Sequence, residues 1–273
     1  MGILNVTPDS FSDGGRLYVG AGSRKKVDVA AALEVASKMC EDGAAILDIG
    51  GESTRPGAQK VSEQEELDRV LPLVEAIAGS LDVGISVDTS NPRVMEEALG
   101  LGAGLINDVR ALSREGTVSL LANTDAAICL MHMRGQPSTM QQSPDYESVV
   151  DEVYSYLSER VQACLEAGIE RSRLIVDPGF GFGKSLAHNY QLLRELDRFA
   201  ALGLPILVGI SRKSMIGGVC GREVSERLAG TLSATVHALE GGAAIIRAHD
   251  VAATIDAIKV HCAVKGFEQI GKV

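Results

Sequence analysis

The chain has 273 residues, 45% of them hydrophobic, and a formal net charge of −10. That supply of apolar residues excludes a disordered chain and suits a large α/β core. The acidic balance excludes non-specific binding to nucleic acid or to an anionic membrane, so clustered Arg or Lys marks a site. Five scattered cysteines (Cys40, Cys129, Cys164, Cys220 and Cys262) form no C-x-x-C pair and read as reduced thiols of a cytoplasmic protein. No apolar run reaches the roughly 18 residues of a membrane span, and no signal-peptide pattern opens the chain.

In chain order, "GILNV" (2–6) predicts a first strand. It runs into a polar stretch that continues to about Ser23 and carries Phe11 and Asp13. A plain strand–helix connector needs only about 2–6 residues, so this one reads as an active-site loop. Residues 24–43 carry apolar positions at helical spacing and end at Gly43. "AAILDIG" (44–50) predicts the second strand and enters "GGESTRPG". Ser62 with Glu65 three residues later opens a second helix in capping-box fashion. Strands follow at 83–88, 104–109 and 126–132, then a helix within 145–168. Strands at 173–179 and 205–211, a helix within 225–242, a strand at 243–249 and a helix at 251–264 complete the pattern. The strands are continuously apolar, as burial on both faces requires. Eight strands alternating with helices predict an α/β fold, a (β/α)8 TIM barrel spanning residues 1–273 as one domain. A doubly wound sheet is the second choice.

Chemistry in such a barrel sits at the C-terminal ends of the strands. There the chain places Asn5, Asp48, Asp88, Asn107 with Asp108, "MHM", Asp177 before "PGFGFGK", "SRKS", and Arg247 with His249. Taken singly, Asp48, Asp108 and Asp250 read best as helix caps or turn formers. Taken together, the set marks a site. Asp88, Asn107 and Asp177 form an acceptor-rich surface with one donor arm, suited to a flat heterocycle such as an aminopyrimidinone. A divalent metal site is the alternative, but the remaining residues are cations: Arg55, Lys213, Arg247 and His249. These suit a diphosphate, near the loops after strands seven and eight, and Asn5 is an oxygen ligand for an accompanying Mg2+. "GFGFGKS" is one residue too short before its Gly-Lys-Ser to be a P-loop and reads as a close-approach glycine turn with Phe182 facing a ligand. His132 reads as structural.

"NVTPDSFSDGG", "DIGGESTRPGA", "SVDTSNPRVMEEAL", "INDV", "DPGFGFGK", "GISRKS" and "RAHDV" together resemble the dihydropteroate synthase family, in order from Asn5 to Val251. The resemblance implies condensation of 6-hydroxymethyl-7,8-dihydropterin diphosphate with p-aminobenzoate, inhibition by sulfonamides, Mg2+ and a homodimer. It assigns Asp88, Asn107, Asp177 and Lys213 to the pterin, and Thr54, Arg55, Arg247 and His249 to the diphosphate. Asn5 goes to Mg2+. Phe11 and Phe182 border the p-aminobenzoate pocket, with Ser211 and Lys213 near its carboxylate. Asp13 and Arg55 join the closing loops. Family members carry residues ahead of the first motif, and the start at Met1 predicts a first strand short at its N-terminal end. A pterin-dependent corrinoid methyltransferase would not need Arg55, "SRK" or "RAH". A silent pterin-binding protein would bind without turnover.

Overall fold

The structure is a computed structural model and describes residues 1–7, 18–19, 26–53, 61–135, 140 and 144–267. The first part of the chain gives β1 (Gly2–Asn5), β2 (Tyr18–Val19), β3 (Lys26–Val27), α1 (Val29–Glu41), β4 (Ile46–Gly50) and α2 (Glu63–Ser80). Next come β5 (Gly84–Asp88), α3 (Pro92–Gly100), β6 (Leu105–Asp108), α4 (Thr117–Ala122), β7 (Ala127–Met131) and α5 (Val149–Glu166). The last third gives β8 (Leu174–Asp177), α6 (Leu186–Arg194), β9 (Ile206–Val208), α7 (Ser214–Cys220), α8 (Leu228–Glu240), β10 (Ala243–Ile246) and α9 (Val251–Lys265).

Eight parallel strands pair in the order β1-β4-β5-β6-β7-β8-β9-β10. Gly2 and Ala248 bridge the two ends, with Ile3 N–H on the Ala248 carbonyl at 3.0 Å, so the sheet closes into the expected barrel. All eight predicted strands are present, each trimmed at one or both ends. The short antiparallel pair β2–β3 lies in or just after the stretch read from sequence as loop.

Alternation along each strand sorts its residues. Outward residues such as Leu47, Ile49, Val87, Ile106 and Ile128 pack with the helices in the main core. Inward, Leu105, Cys129, Ile175 and Leu207 fill the barrel, with Met1, Ala127 and Ile245 against them. Above this apolar plug the inward positions become Asp48, Ser86, Asp88, Asn107 and Asp177. The barrel is thus oily below and charged at its C-terminal mouth.

Helix starts follow their capping residues. Ser62 Oγ accepts from Glu65 N–H at 3.3 Å, while the Glu65 carboxylate pairs with Arg69. Asn91 Oδ1 accepts from Arg93 N–H, just after Pro92 begins α3. Asp250 stands at the start of α9 but makes no side-chain cap there; its carboxylate takes the Arg212 guanidinium, with Nε at 2.8 Å. A bidentate cation is the stronger partner for that carboxylate, which corrects its reading as a simple cap. Asp108 fits the turn-former reading, accepting from Ser90 Oγ and from Arg110 and Leu112 N–H.

Candidate active site

Asn5, Gly50, Asp88 and Asn107 are register partners across β1, β4, β5 and β6. They therefore stand in one row at the barrel mouth. One step down, Asp48 lies opposite Ser86. Asp48 is fully buried and accepts from Ser86 Oγ at 2.6 Å, Asn107 Nδ2 at 3.2 Å and Arg247 Nε at 2.5 Å. It is neither a cap nor a turn former: it points into the barrel and fixes two cavity residues. The Asn107 donor arm read from sequence is thereby taken by Asp48. Its Oδ1 is buried with no hydrogen-bond partner. An unpartnered buried acceptor costs about 1–3 kcal/mol, so this one is set for an N–H from outside.

Arg247 reaches across the mouth, with Nη2 at 3.0 Å from Asp88 Oδ2. One guanidinium thus compensates two carboxylates. Burial still pushes the Asp88 carboxyl up to about 7; Arg247 opposes the shift, while Asp48, Asp108 and Glu66 add to it. Asp177, at the end of β8, accepts Gly179 N–H at 2.7 Å. Burial raises its pKa, against the pull of Lys213. Lys213 donates to the Phe180 carbonyl at 2.6 Å and sits 4.7 Å from the centre of the Phe182 ring. Burial lowers its pKa to about 8, with Asp177 working the other way.

Ser211, Arg212 and Lys213 leave β9 through a sharp turn. Arg212 has φ +56°, held by Thr231 Oγ1 accepting its N–H at 3.1 Å and by the pair with Asp250. The turn faces Ser211 toward β10, where Ser211 Oγ accepts His249 N–H at 3.1 Å and lies 3.0 Å from His249 Nδ1.

A cavity of about 600 Å³ collects these groups. Asn5, Asp88, Asn107, Asp177 and Lys213 line it, as do Phe182, Ser211, Arg247 and His249. Four further predicted site residues, Phe11, Asp13, Thr54 and Arg55, lie outside the described residues. Glu52 and Ser53 line the cavity, so the chain segment leading to Thr54 starts at its rim. His132 does not line it; it is buried behind, with its pKa pushed down to about 2 by burial first and by Lys184 second.

The glycine turn after β8 is a true close approach. Gly179 has φ +71°, and a Cβ there would fall 1.8 Å from the His132 carbonyl oxygen. Gly116 also has positive φ (+84°), but nothing lies within 4 Å of its Cβ position. Gly179→Ala is therefore expected to lose about 3 kcal/mol or more, whereas Gly116→Ala loses only the left-handed backbone cost of about 1–2 kcal/mol. Urea unfolding of the two variants checks this; equal losses would contradict it.

A family profile described as pterin binding enzyme matches residues 1–249. A dihydropteroate synthase of Escherichia coli K12 is 52% identical over 260 residues, 95% of this chain and 89% of that one. The chain belongs to the dihydropteroate synthase family. Among solved structures, the Yersinia pestis dihydropteroate synthase in a sulfonamide drug complex has a TM-score of 0.92 at 48% identity, covering 97% of this chain and 94% of that one. The Xanthomonas albilineans dihydropteroate synthase with 4-aminobenzoic acid has a TM-score of 0.89 at 47% identity, covering 98% and 93%. As a dihydropteroate synthase family member, the chain is a transferase on a TIM barrel. Reading from sequence missed Asp48 and Arg212 as site-building residues. Asp48 was findable, because strand alternation puts it on the same face as Gly50, Asp88 and Asn107.

Proposed function

We propose that this protein condenses 6-hydroxymethyl-7,8-dihydropterin diphosphate with p-aminobenzoate, giving 7,8-dihydropteroate and diphosphate for folate synthesis. The unpartnered Asn107 Oδ1 between Asp88 and Asp177 carries this reading. A pterin ring presents N–H groups in one plane, and three acceptors meet them, two on the adjacent strands β5 and β6 and one on β8. Lys213 serves the ring carbonyl, since it lines the cavity beside these acceptors.

Arg247 and His249 take the diphosphate at the rim, joined by Thr54 and Arg55. Mg2+ fits here through Asn5. The missing side chain of Gly50 leaves a space bordered by Asn5 Oδ1, 3.1 Å from where its Cβ would stand, and by Asp88 Oδ2 at 3.9 Å. One neutral oxygen suits an ion held mainly by the substrate's phosphates and water. Bound there, Mg2+ would neutralise charge on the leaving diphosphate.

The hard step is breaking the bond from the pterin methylene to the diphosphate oxygen. The electron pair leaves with the diphosphate, and the methylene carbon becomes cationic, conjugated with the ring. Asp177 stabilises that cation from within hydrogen-bond reach of the ring. The amine of p-aminobenzoate then attacks, and the ammonium so formed gives its proton to solvent when the site reopens. Phe11 and Asp13 on the first loop, with Thr54 and Arg55 on the second, close over the site and keep water from the cation. Phe182 and Ser211 border the p-aminobenzoate, and sulfonamides compete for the same pocket. A homodimer would cover exposed apolar side chains such as Leu186, Val219 and Leu228 on α6 to α8 or Val260 and Val264 on α9. Among the described residues no helix is long and apolar enough to cross a membrane.

Incubation with both substrates and Mg2+, followed by chromatography, tests the reading. Dihydropteroate is the expected product. Its absence from a folded protein that binds the pterin would contradict it.

A further inference from the structure

Lys184 ends the "GFGFGK" turn and plays no part in the reaction as set out above. It is only 2% exposed. Its ammonium donates to the Gly179 carbonyl at 2.8 Å and the Phe182 carbonyl at 3.1 Å, and lies 2.9 Å from His132 Nδ1. A buried lysine without a carboxylate in contact is rare, and burial pulls its pKa well down. Ordinary packing would use an apolar residue there.

The rest of the turn explains the cation. Phe180 turns its carbonyl the other way, onto Lys213 Nζ. Gly183 gives its carbonyl to Tyr146 Oη at 2.9 Å, and Gly181 N–H goes to Asn189 Oδ1 at 2.6 Å. The carbonyls of residues 179, 180 and 182 are thus shared between two ammonium groups, one behind the turn and one in the cavity. Neutral His132 offers its Nδ1 lone pair, and edge-on contact with Tyr156, ring centres 5.0 Å apart, holds that imidazole in place.

We propose that Lys184 is a positioning residue for the transfer reaction. By clamping the Gly179 and Phe182 carbonyls against His132, it sets the Phe180 carbonyl that holds Lys213 and the Phe182 ring that faces the second substrate. The proposal rests on the synthase reading for the identity of that substrate. Its effect falls mainly on the p-aminobenzoate side, through Phe182; on the pterin side it reaches Lys213 through the Phe180 carbonyl and Asp177 through Gly179 N–H, while Asp88 and Asn107 stand on other strands.

Lys184→Met keeps the apolar stem and removes the ammonium. Catalysis is sensitive to displacements of about 1 Å, so kcat/KM for p-aminobenzoate is expected to fall about a hundredfold. Affinity for the pterin, read by its own fluorescence, is expected to fall by less than about tenfold, since the Asp88 and Asn107 contacts are intact and only the setting of Lys213 and Asp177 shifts. In the unliganded protein, hydrogen exchange of the 179–184 amides should rise while the amides of β5 and β6 stay protected. If Lys184→Met does not fold, Lys184→Gln, which keeps one N–H2 donor, serves in its place with smaller changes of the same kind. Unchanged p-aminobenzoate kinetics, or equal losses for both substrates, would overturn the positioning role. If the wild-type protein makes no dihydropteroate, the synthase reading fails. The exchange experiment alone then decides whether Lys184 clamps the turn, and unchanged exchange there would reject the clamp.

Discussion

Asp177→Asn is expected to lower kcat by about a thousandfold while weakening pterin binding far less. The two side chains have the same shape, and Asn can still accept Gly179 N–H through its oxygen. What disappears is a negative charge in a buried mouth, beside the carbon that becomes cationic. A charge matched to the transition state affects kcat more than ground-state affinity. The same substitution leaves Lys213 without its nearest counter-charge, which lowers the ammonium pKa further from about 8. Part of the loss should therefore be recovered at lower pH, where Lys213 regains its proton. Single-turnover kinetics across pH, with pterin affinity measured in parallel, checks this. A variant with near-normal kcat and poor pterin affinity would show that Asp177 only holds the ring.

Arg247→Leu should damage both folding and turnover. The guanidinium contacts Asp48 at 2.5 Å and Asp88 at 3.0 Å, and the Asp48 side chain is fully buried. Removing one partner of a buried ion pair costs about 3–5 kcal/mol. Urea unfolding should show a loss of that size. Adding Asp48→Asn removes the fully buried stranded carboxylate; the amide oxygen still accepts from Asn107 Nδ2, and the amide N–H can donate to the Ser86 hydroxyl. The double variant should regain most of the stability and little of the activity, because no cation then stands between ring and diphosphate. Stability of Arg247→Leu equal to wild type would mean that the pair carries no structural weight. Recovered turnover in the double variant would mean that Arg247 acts only through Asp48.

The barrel was legible because a strand covered on both faces must be apolar throughout. Runs such as "AAICLMH" and "RLIVDPG" carry that signal without help from distant residues. The strand at 205–211 was read too long because its last residues turn out of the sheet into Arg212, whose left-handed backbone rests on Thr231 and Asp250. Nothing local in "SRKS" announces that turn. Asp88, Asn107 and Asp177 were legible as strand-end polar residues. Asp48 was lost among them because a carboxylate before a glycine pair also suits a cap. Only its register with Ser86, and its contact with Arg247 199 positions away, show what it does. Lys184 posed the same difficulty: two of its partners are backbone carbonyls, which leave no trace in residue types, and the third, His132, lies 52 positions away.

The most direct test of the account is the timing of diphosphate release. Protein, Mg2+ and 6-hydroxymethyl-7,8-dihydropterin diphosphate are mixed with and without p-aminobenzoate, and free diphosphate is followed against time. Departure before attack predicts measurable release without p-aminobenzoate and faster release with it, dihydropteroate then matching diphosphate one for one. No release until p-aminobenzoate is present, at a rate first order in it up to saturation, would contradict departure before attack. No release under either condition would contradict the synthase assignment.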